Sequence, residues 1–250
     1  KKIALITGGY SGEAVISYKS ANNIEKNLDT DKWETYKIDI NPEGWNYLAP
    51  GGEKTPVDKN DFSITIGGQK INFDAVLVGL HGTPGEDGKL QGYFDTLGIP
   101  YTSCDTATSA LTFNKRYTVA VAAFAGIHVA KSVHLFKHIP VTVESILATL
   151  QLPVFVKPNN GGSSIGMSKV KEPEALQAAL DKAFAEDDQV LVEEFIKGRE
   201  LTIGVFKSNG QVIALPITEI IAKNEFFDYE AKYEGASEEI TPAQCDESIA

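Results

Sequence analysis

Cysteine and histidine are scarce in this 250-residue sequence, and their scarcity argues against several kinds of site. Cys104 and Cys245 are the only cysteines; they lie far apart and outside any metal-binding or redox spacing, so we expect two free thiols. The four histidines stand at positions 81, 128, 134 and 138. They form no H-E-x-x-H pattern, which argues against a zinc hydrolase.

Positive charge and long apolar runs are also in short supply. The sequence has 34 acidic and 23 basic residues, with a net charge of -11, which argues against nucleic acid or an anionic membrane as a partner. No apolar run approaches the roughly 18 residues that a membrane span requires. The opening KKIALITGG is too short for a signal peptide and lacks a small-residue cleavage site. We therefore expect a cytoplasmic protein.

The length and the pattern of the sequence predict an α/β protein with more than one domain. The first hundred residues alternate strands and helices. The predicted elements are a strand in KKIALITGG, a helix with Ser11 as its N-cap, a strand in WETYKIDI, a hairpin around Gly67 and Gly68, a strand in FDAVLVGLHG and a helix that ends at Gly98. Glu13 and His81 follow the carboxyl ends of two of these strands, where open α/β sheets bind ligands. A helix-start carboxylate and a turn histidine are the alternatives.

A glycine-rich loop, KPNNGGSSIGMSKV, follows Lys157 and separates two short strands. Glycine lets backbone amides approach a ligand closely, and successive N–H groups form an anion-binding concavity. The P-loop and dinucleotide patterns are both absent. The stretch therefore indicates a hairpin whose tip either binds phosphate beside a lysine or is an ordinary turn.

Three further segments carry candidate residues. Lys115 falls within a predicted helix that breaks near Gly126, and a surface lysine is the alternative interpretation. In the strand QVLVEEFI, Glu193 and Glu194 face opposite ways, so only one of the two carboxylates can enter a given pocket. The later stretch NEFFDYEAKYEGASEEI has no clear period and indicates a functional loop.

Six motifs in order resemble the D-alanine–D-alanine ligases of the ATP-grasp superfamily. They are GGYSGE at 8–13, LHGTPGEDG at 80–88, NK at 114–115, VKPNNGGSSIGMSKV at 156–170, VLVEEFIKGRELT at 190–202 and DYEAKY at 228–233. The resemblance implies a Rossmann-like domain over 1–104, a central ATP-grasp subdomain over 105–190 and the start of a C-terminal ATP-grasp subdomain over 191–250. It also implies ATP-dependent joining of two D-alanines through a D-alanyl phosphate, for peptidoglycan synthesis.

The resemblance implies two groups of binding residues. The nucleotide would be bound by phosphate-contacting lysines, by loop amides, by an adenine-contacting strand end and by a ribose acceptor: Lys115, Lys157, Lys232, Gly162, Ser163, Ser164, Glu193, Glu194, Ile196 and Glu200. Glu13 would hold the ammonium of the first D-alanine with Ser163 and Tyr233 as catalytic partners, and His81 would lie near that substrate.

The resemblance also implies a magnesium cofactor, which manganese can replace, and a homodimer. It places the metal ligands and a phosphoryl-stabilising arginine after the DYEAKY loop, beyond Ala250, so no residue of this sequence is assigned to the metal. We accordingly expect residues 1–250 alone to be inactive. Two alternatives stay open: a ligase that joins D-alanine to D-lactate or D-serine, and a non-catalytic nucleotide-binding module. Tyr233 argues against the D-lactate type, because D-lactate ligases of the family carry phenylalanine or histidine in that region.

Overall fold

The computed structural model describes residues 1–222 and 237–246, which form two compact units. The first unit comprises Lys1–Val129 together with Asn159–Gly162. The second comprises Ala130–Pro158 and the residues from Ser163 onward. The division into 1–104, 105–190 and 191–250 stays a prediction.

The first unit is a seven-stranded sheet with helices. Its strands are β1 (Lys2–Gly8), β2 (Glu34–Asn41), β3 (Gly44–Leu48), β4 (Lys54–Asp58), β5 (Ser63–Ile66), β6 (Gln69–Ile71) and β7 (Ala75–Val78). Its helices are α1 (Ala14–Asn27), α2 (Lys89–Leu97), α3 (Thr106–Phe113) and α4 (Lys115–Phe124). The strand order is β6-β5-β4-β3-β2-β1-β7. Strand β1 runs parallel to both of its neighbours, β2 and β7, while β3 to β6 extend the sheet by antiparallel pairing.

Strand β1 is buried although it lies next to the edge strand β7. Its residues are buried on both faces of the sheet, as is typical of a parallel strand covered on either side. Helix α1 buries Ile16, Ser17 and Ala21. The carboxyl ends of β1 and β7 therefore lie side by side, and the loops that follow them carry Glu13 and His81, as the sequence predicts.

Several elements of the first unit differ from the sequence prediction. Ser11 is not the N-cap of α1: its Oγ accepts a hydrogen bond from the Glu13 N–H at 3.3 Å within the turn that precedes the helix, and the helix begins at Ala14. The predicted helix around Lys115 is two helices, because Asn114 caps α4 by accepting from the Tyr117 N–H at 3.1 Å. Strands β3 and β4 were not predicted. The hairpin at Gly67 and Gly68 and the end of α2 at Gly98 are confirmed.

The second unit contains an antiparallel sheet covered by helices. Its elements are β8 (Ser132–Phe136), α5 (Val143–Leu147), β9 (Val154–Pro158), β10 (Ser168–Val170), a 3-10 turn (Pro173–Ala175), α6 (Leu176–Glu186), β11 (Gln189–Glu194), β12 (Glu200–Thr202), β13 (Val205–Ser208), β14 (Gln211–Ala214), β15 (Thr218–Ala222) and β16 (Ser237–Ile240). The four-stranded sheet has the order β10-β9-β11-β8, a three-stranded sheet has the order β12-β15-β16, and β13 pairs with β14.

One face of the four-stranded sheet forms the core of the second unit. Val154, Val156, Val190 and Val192 are fully buried and pack with residues of α5 and α6. Side chains alternate between the faces of a strand, so the intervening residues of β9 and β11 lie on the opposite face. The hairpin of β9 and β10 around the glycine-rich loop is confirmed. The parallel α/β unit and the antiparallel α+β unit agree with the predicted fold class.

No helix in the described ranges 1–222 and 237–246 is long and apolar enough to cross a membrane.

Candidate functional site

Glu13 has a nearly buried carboxylate at the end of the first strand-to-helix loop. The side chain is 3% exposed, and its Oε2 accepts a hydrogen bond from the Gly162 N–H at 3.2 Å. A methyl group on Gly162 would lie 2.8 Å from the Glu13 Oε1, so only glycine allows this approach of backbone to carboxylate. The first loop of the chain and the glycine-rich loop thus meet at one carboxylate.

Gly82 supports Glu13 from another side. Its φ of +73° favours glycine, and a β-carbon there would lie 2.6 Å from both the Glu13 Oε2 and the Ser11 Oγ. The Gly82 N–H donates to the Oε2 of Glu86 at 2.6 Å. The backbone at residue 82 therefore separates two carboxylates, those of Glu13 and Glu86.

Glu86, which the sequence analysis did not single out, is exposed as a whole residue, although its carboxyl group is shielded from solvent by the surrounding loop. Burial raises its pKa, the neighbouring charge of Glu13 acts in the same direction, and the hydrogen bond from Gly82 opposes both. Glu86 lines a cavity of about 390 Å³ in the first unit, between α1 and the end of β7. The acidic pair in PGEDG could have indicated a functional carboxylate here, but the same pair is typical of a solvated turn.

His81 lines the same cavity and is attached to α1 by two serines. The backbone N–H of His81 donates to the Ser17 Oγ at 2.8 Å. Its ring Nε2 lies 2.9 Å from the Ser20 Oγ. The Ser17 hydroxyl in turn donates to the carbonyl oxygen of Glu13 at 3.3 Å. Glu13 and His81 therefore belong to one hydrogen-bonded group, as their positions after neighbouring strands predict.

Lys115 begins α4 and points to the glycine-rich loop. Its Nζ donates to the carbonyl oxygen of Gly161 at 2.6 Å and lies 3.4 Å from that of Asn159. The Asn159 side chain accepts from the Arg116 N–H at 2.9 Å. Its buried Nδ2 has no acceptor within the described part of the chain. A cation and an unused buried donor beside the loop suit an anionic ligand, since phosphate oxygens accept hydrogen bonds from both.

In the second unit, Lys157 and Glu193 lie on the sheet face opposite the valine core. The register pairs Leu191 with Lys157 and Glu193 with Phe155, which places all four side chains on the same face. The Lys157 ammonium and the Glu193 carboxylate form an ion pair, with side chains 21% and 14% exposed. This face therefore carries a cation beside an acceptor, a pair of groups suited to a polar heterocycle joined to phosphate.

Glu194 has a different partner from Glu193, as strand alternation predicts. Its Oε1 accepts from the Lys131 N–H at 2.7 Å, and its own N–H donates to the Lys131 carbonyl at 2.9 Å. Ile196 follows in the segment after β11 and is 64% exposed. Glu200 begins β12 and is exposed. Its carboxylate is accessible to a ligand, but no described contact singles it out.

Ser163 and Ser164 complete the described part of the predicted loop site. Both have positive φ, +52° and +57°, a backbone that costs a non-glycine residue roughly 1–3 kcal/mol. Ser163 is 8% exposed. Both residues lie in the tight turn at the tip of the hairpin, where successive N–H groups can form a concavity that binds an anion.

Two predicted residues, Lys232 and Tyr233, lie outside the described residues, as does the DYEAKY motif. Within the ranges 1–222 and 237–246, no three His, Cys, Asp or Glu side chains come close enough to hold a metal ion. Lys169, which sequence reasoning missed, lies on the same sheet face as Lys157. The alternation of side chains along β10 could have indicated this position, but it shows which residues Lys169 faces only once the register of the hairpin is known.

Comparisons with known proteins match both parts of the chain. The profile described as D-ala D-ala ligase N-terminus matches residues 2–104, and the one described as D-ala D-ala ligase C-terminus matches residues 113–250. A relative from Parabacteroides distasonis, named D-alanine–D-alanine ligase, is 49% identical over 98% of this chain and 74% of its own length.

Solved structures agree. D-alanyl-alanine synthetase A from Vibrio cholerae superposes with a TM-score of 0.85 at 29% identity, over 99% of this chain and 76% of the other. The VanG D-Ala:D-Ser ligase from Enterococcus faecalis superposes with a TM-score of 0.81 at 34% identity, over 99% of this chain and 78% of the other. With family profiles that together match nearly the whole chain, and a fold shared with solved ligases, the chain belongs to the D-alanine–D-alanine ligase family of ATP-grasp enzymes.

Proposed function

We propose that this protein joins two D-alanines to D-alanyl-D-alanine, with conversion of ATP to ADP and phosphate, and so supplies a precursor for peptidoglycan. Relatives at 46–49% identity carry the name of this activity. The observation that carries the proposal is the hydrogen bond between Glu13 and Gly162, which are separated by 149 positions in the sequence. It joins a carboxylate suited to an amino acid's ammonium to a loop suited to phosphate.

Glu13 would bind the ammonium of the first D-alanine. An ammonium offers three donors and a carboxylate only acceptors, and a charge-assisted hydrogen bond is stronger than a neutral one. Burial of Glu13 and its contact with Gly162 restrict the carboxylate to one position. His81, fixed to α1 through Ser17 and Ser20, would then lie beside that substrate as a positioning residue.

Lys115, Lys157 and the amides of Gly162, Ser163 and Ser164 would bind the phosphates of ATP. ATP supplies the phosphoryl group that turns the D-alanine carboxylate into an acyl phosphate. The chain's task is to place cations and N–H groups around a phosphoryl group whose negative charge is redistributed during transfer. Lys115 already lies at the loop carbonyls, so binding of phosphate would exchange those contacts for stronger charge-assisted ones.

Glu193 would accept from the amino group of adenine, and the backbone of Glu194 and Ile196 would contact the remaining edge. The ion pair between Glu193 and Lys157 supports this assignment, because it holds the acceptor in place while keeping a cation nearby for phosphate. Glu200 would accept from the ribose hydroxyls, for which a carboxylate is well suited. Lys232 and Tyr233 would contribute a phosphate contact and a substrate contact, respectively, on the strength of the resemblance.

The second D-alanine would attack the acyl phosphate through its amine. The C–N bond forms as the C–O bond to phosphate breaks, and the amine loses a proton. Water must be kept from the acyl phosphate, since hydrolysis would waste it. Glu13, Ser163 and Tyr233 would together hold the substrates for this step.

Magnesium, or manganese in its place, belongs to the proposal on the family resemblance alone. The described residues include no cluster of ligands for it, so no step above depends on the ion. A homodimer is proposed on the same basis as the metal, and a cytoplasmic location on the short apolar runs of the sequence.

Product analysis of the full-length enzyme tests the proposal. The enzyme is incubated with ATP and equal concentrations of D-alanine, D-serine and D-lactate, and the products are identified by mass spectrometry. We expect D-alanyl-D-alanine and an equal amount of ADP. Formation of D-alanyl-D-serine as the main product would place the protein with the D-Ala:D-Ser ligases, and ADP formation without any ligated product would contradict both.

A further inference from the structure

Lys169 makes a close cation–π contact with the segment that follows β11. Its Nζ lies 3.9 Å from the ring centre of Phe195 and 6.0 Å from that of Phe155. The two rings are themselves 6.0 Å apart at an interplanar angle of 58°. A cation within about 6 Å of an aromatic ring centre is attracted to the ring face. The ammonium of Lys169 therefore links the ring of Phe155 on β9 to that of Phe195, which follows β11.

Strand register explains how these side chains meet. Lys169 on β10 lies directly opposite Phe155 on β9, and Phe155 lies directly opposite Glu193 on β11. Directly opposite residues of antiparallel strands have their side chains on the same face. Lys169, Phe155 and Glu193 therefore form one row across the sheet. Val170, Val154, Val156 and Val192 lie on the opposite face of the sheet, towards the core.

The backbone near Phe195 is fixed at several points. The Phe195 N–H donates to the Pro153 carbonyl at 3.1 Å. Glu194 exchanges hydrogen bonds with Lys131 through both its backbone and its carboxylate. These contacts hold the backbone on the sides of β9 and β8. Lys169 adds a side-chain contact from β10, the strand on which the chain returns from the glycine-rich loop.

We propose that Lys169 is a positioning residue for recognition of the adenine ring. Its ammonium holds the Phe195 ring and thereby fixes the backbone of Glu194–Ile196 in the position that the polar edge of adenine requires. This inference rests on the proposed function, in which that backbone contacts adenine. The same contact connects the adenine-binding segment to the hairpin that carries the phosphate-binding loop.

The physical consequence is selectivity between purines. Adenine presents an amino donor where guanine presents a carbonyl acceptor. A rigid backbone beside an acceptor carboxylate rejects guanine, because polar groups would be left buried and unpaired. A backbone that can shift adapts to either base. Loss of the Lys169 contact should therefore reduce the preference for ATP over GTP, and not only the affinity for ATP.

Lys169→Met tests this inference, because methionine retains a long apolar side chain and removes the charge. Lys169→Arg is the conservative variant, since a guanidinium also stacks on aromatic rings. Phe195→Leu removes the ring from the other side. Lys207→Met, on exposed strand β13 of the same unit, is the matched control. Affinities for ATP and GTP are measured by calorimetry, with the thermal unfolding curve of each variant as a check of folding.

We expect Lys169→Met to weaken ATP binding about 3- to 10-fold, as loss of a partly desolvated cation–π contact predicts, and to change GTP binding by less than twofold. Lys169→Arg and Lys207→Met should resemble the parent. Lys169→Met combined with Phe195→Leu should be no worse than Phe195→Leu alone, because both changes remove one contact.

Equal ATP affinity in Lys169→Met, or equal losses for ATP and GTP, would overturn the inference. If Lys169→Met unfolds, Phe195→Leu decides between the same outcomes, since it removes the same contact from the other side. Failure of the parent protein to bind ATP would instead contradict the proposed function, and it would be seen before any variant is compared.

Discussion

Lys157 and Glu193 form an ion pair on the side of a four-stranded sheet that faces away from its valine core. The pair joins two strands that are neighbours in space, β9 and β11. Neither residue is more than about a fifth exposed, so removal of one partner leaves the other charge poorly solvated. Partly buried pairs of this kind respond strongly to loss of a single member.

Lys157→Ala should weaken ATP binding by roughly 1.5 to 3 kcal/mol, the range for a hydrogen bond to a charged group, and should leave D-alanine binding nearly unchanged. The measurement is calorimetric titration with each ligand. Lys207→Ala, on the exposed strand β13, is the control for the loss of a lysine elsewhere in the unit. Unchanged nucleotide affinity in Lys157→Ala would mean that Lys157 forms only a structural ion pair with Glu193 and does not contact the nucleotide.

Gly82→Ala should reduce D-alanine affinity as well as stability. The new β-carbon would lie 2.6 Å from the Glu13 Oε2, and the positive φ alone costs roughly 1–3 kcal/mol in a non-glycine residue. Gly67→Ala separates the two effects, because its φ is also positive and nothing lies within 4 Å of the new β-carbon. Both variants should lose stability in urea, but only Gly82→Ala should lose D-alanine affinity. Equal D-alanine affinities would mean that Glu13 does not contact the substrate.

Glu86→Gln should stabilise the protein at neutral pH. Burial raises the pKa of Glu86 above its ordinary value of 4.5, so the folded protein binds the proton more tightly than the unfolded chain does. Protonation of Glu86 therefore adds to the free energy of unfolding. This contribution is complete below the pKa that Glu86 has in the unfolded chain, and it is lost as pH rises through the pKa in the folded protein. Glutamine stays neutral and retains an acceptor for the Gly82 N–H.

Urea unfolding at pH 7 and at pH 4 tests this prediction. The variant should exceed the parent in free energy of unfolding at pH 7, and the difference should shrink at pH 4, where Glu86 in the parent is protonated. A variant that is less stable than the parent at pH 7 would show that the Glu86 charge stabilises the loop at Gly82.

Glu200→Gln should preserve the fold and reduce ATP affinity moderately, by about 0.5 to 1.5 kcal/mol, because a neutral acceptor replaces a charged one at the ribose. Glu200 is exposed, so thermal unfolding should not change. An ATP affinity equal to that of the parent would identify Glu200 as a solvated surface residue.

The sequence predicts those features of the site that depend on local pattern. Glu13 and His81 follow apolar strands that end in glycines, so their proximity could be inferred from parallel pairing. The contact of Glu13 with Gly162 joins positions 149 apart, and no periodicity reveals it. The contact of Lys169 with Phe195 depends on hairpin register, which the sequence leaves undetermined. Strands β3 and β4 escape prediction because Gly44 and Pro56 weaken their β-strand signal.

The most direct measurement of the central claim is the ligation reaction of the full-length enzyme with Glu13 intact and with Glu13→Gln. With ATP and D-alanine, the parent should form D-alanyl-D-alanine and ADP in equal amounts. Glu13→Gln should bind ATP like the parent but require a much higher D-alanine concentration, because the ammonium loses its charged partner. A variant that makes the dipeptide at the parent's rate and with the parent's D-alanine dependence would contradict the assignment of Glu13, and with it the account of this site.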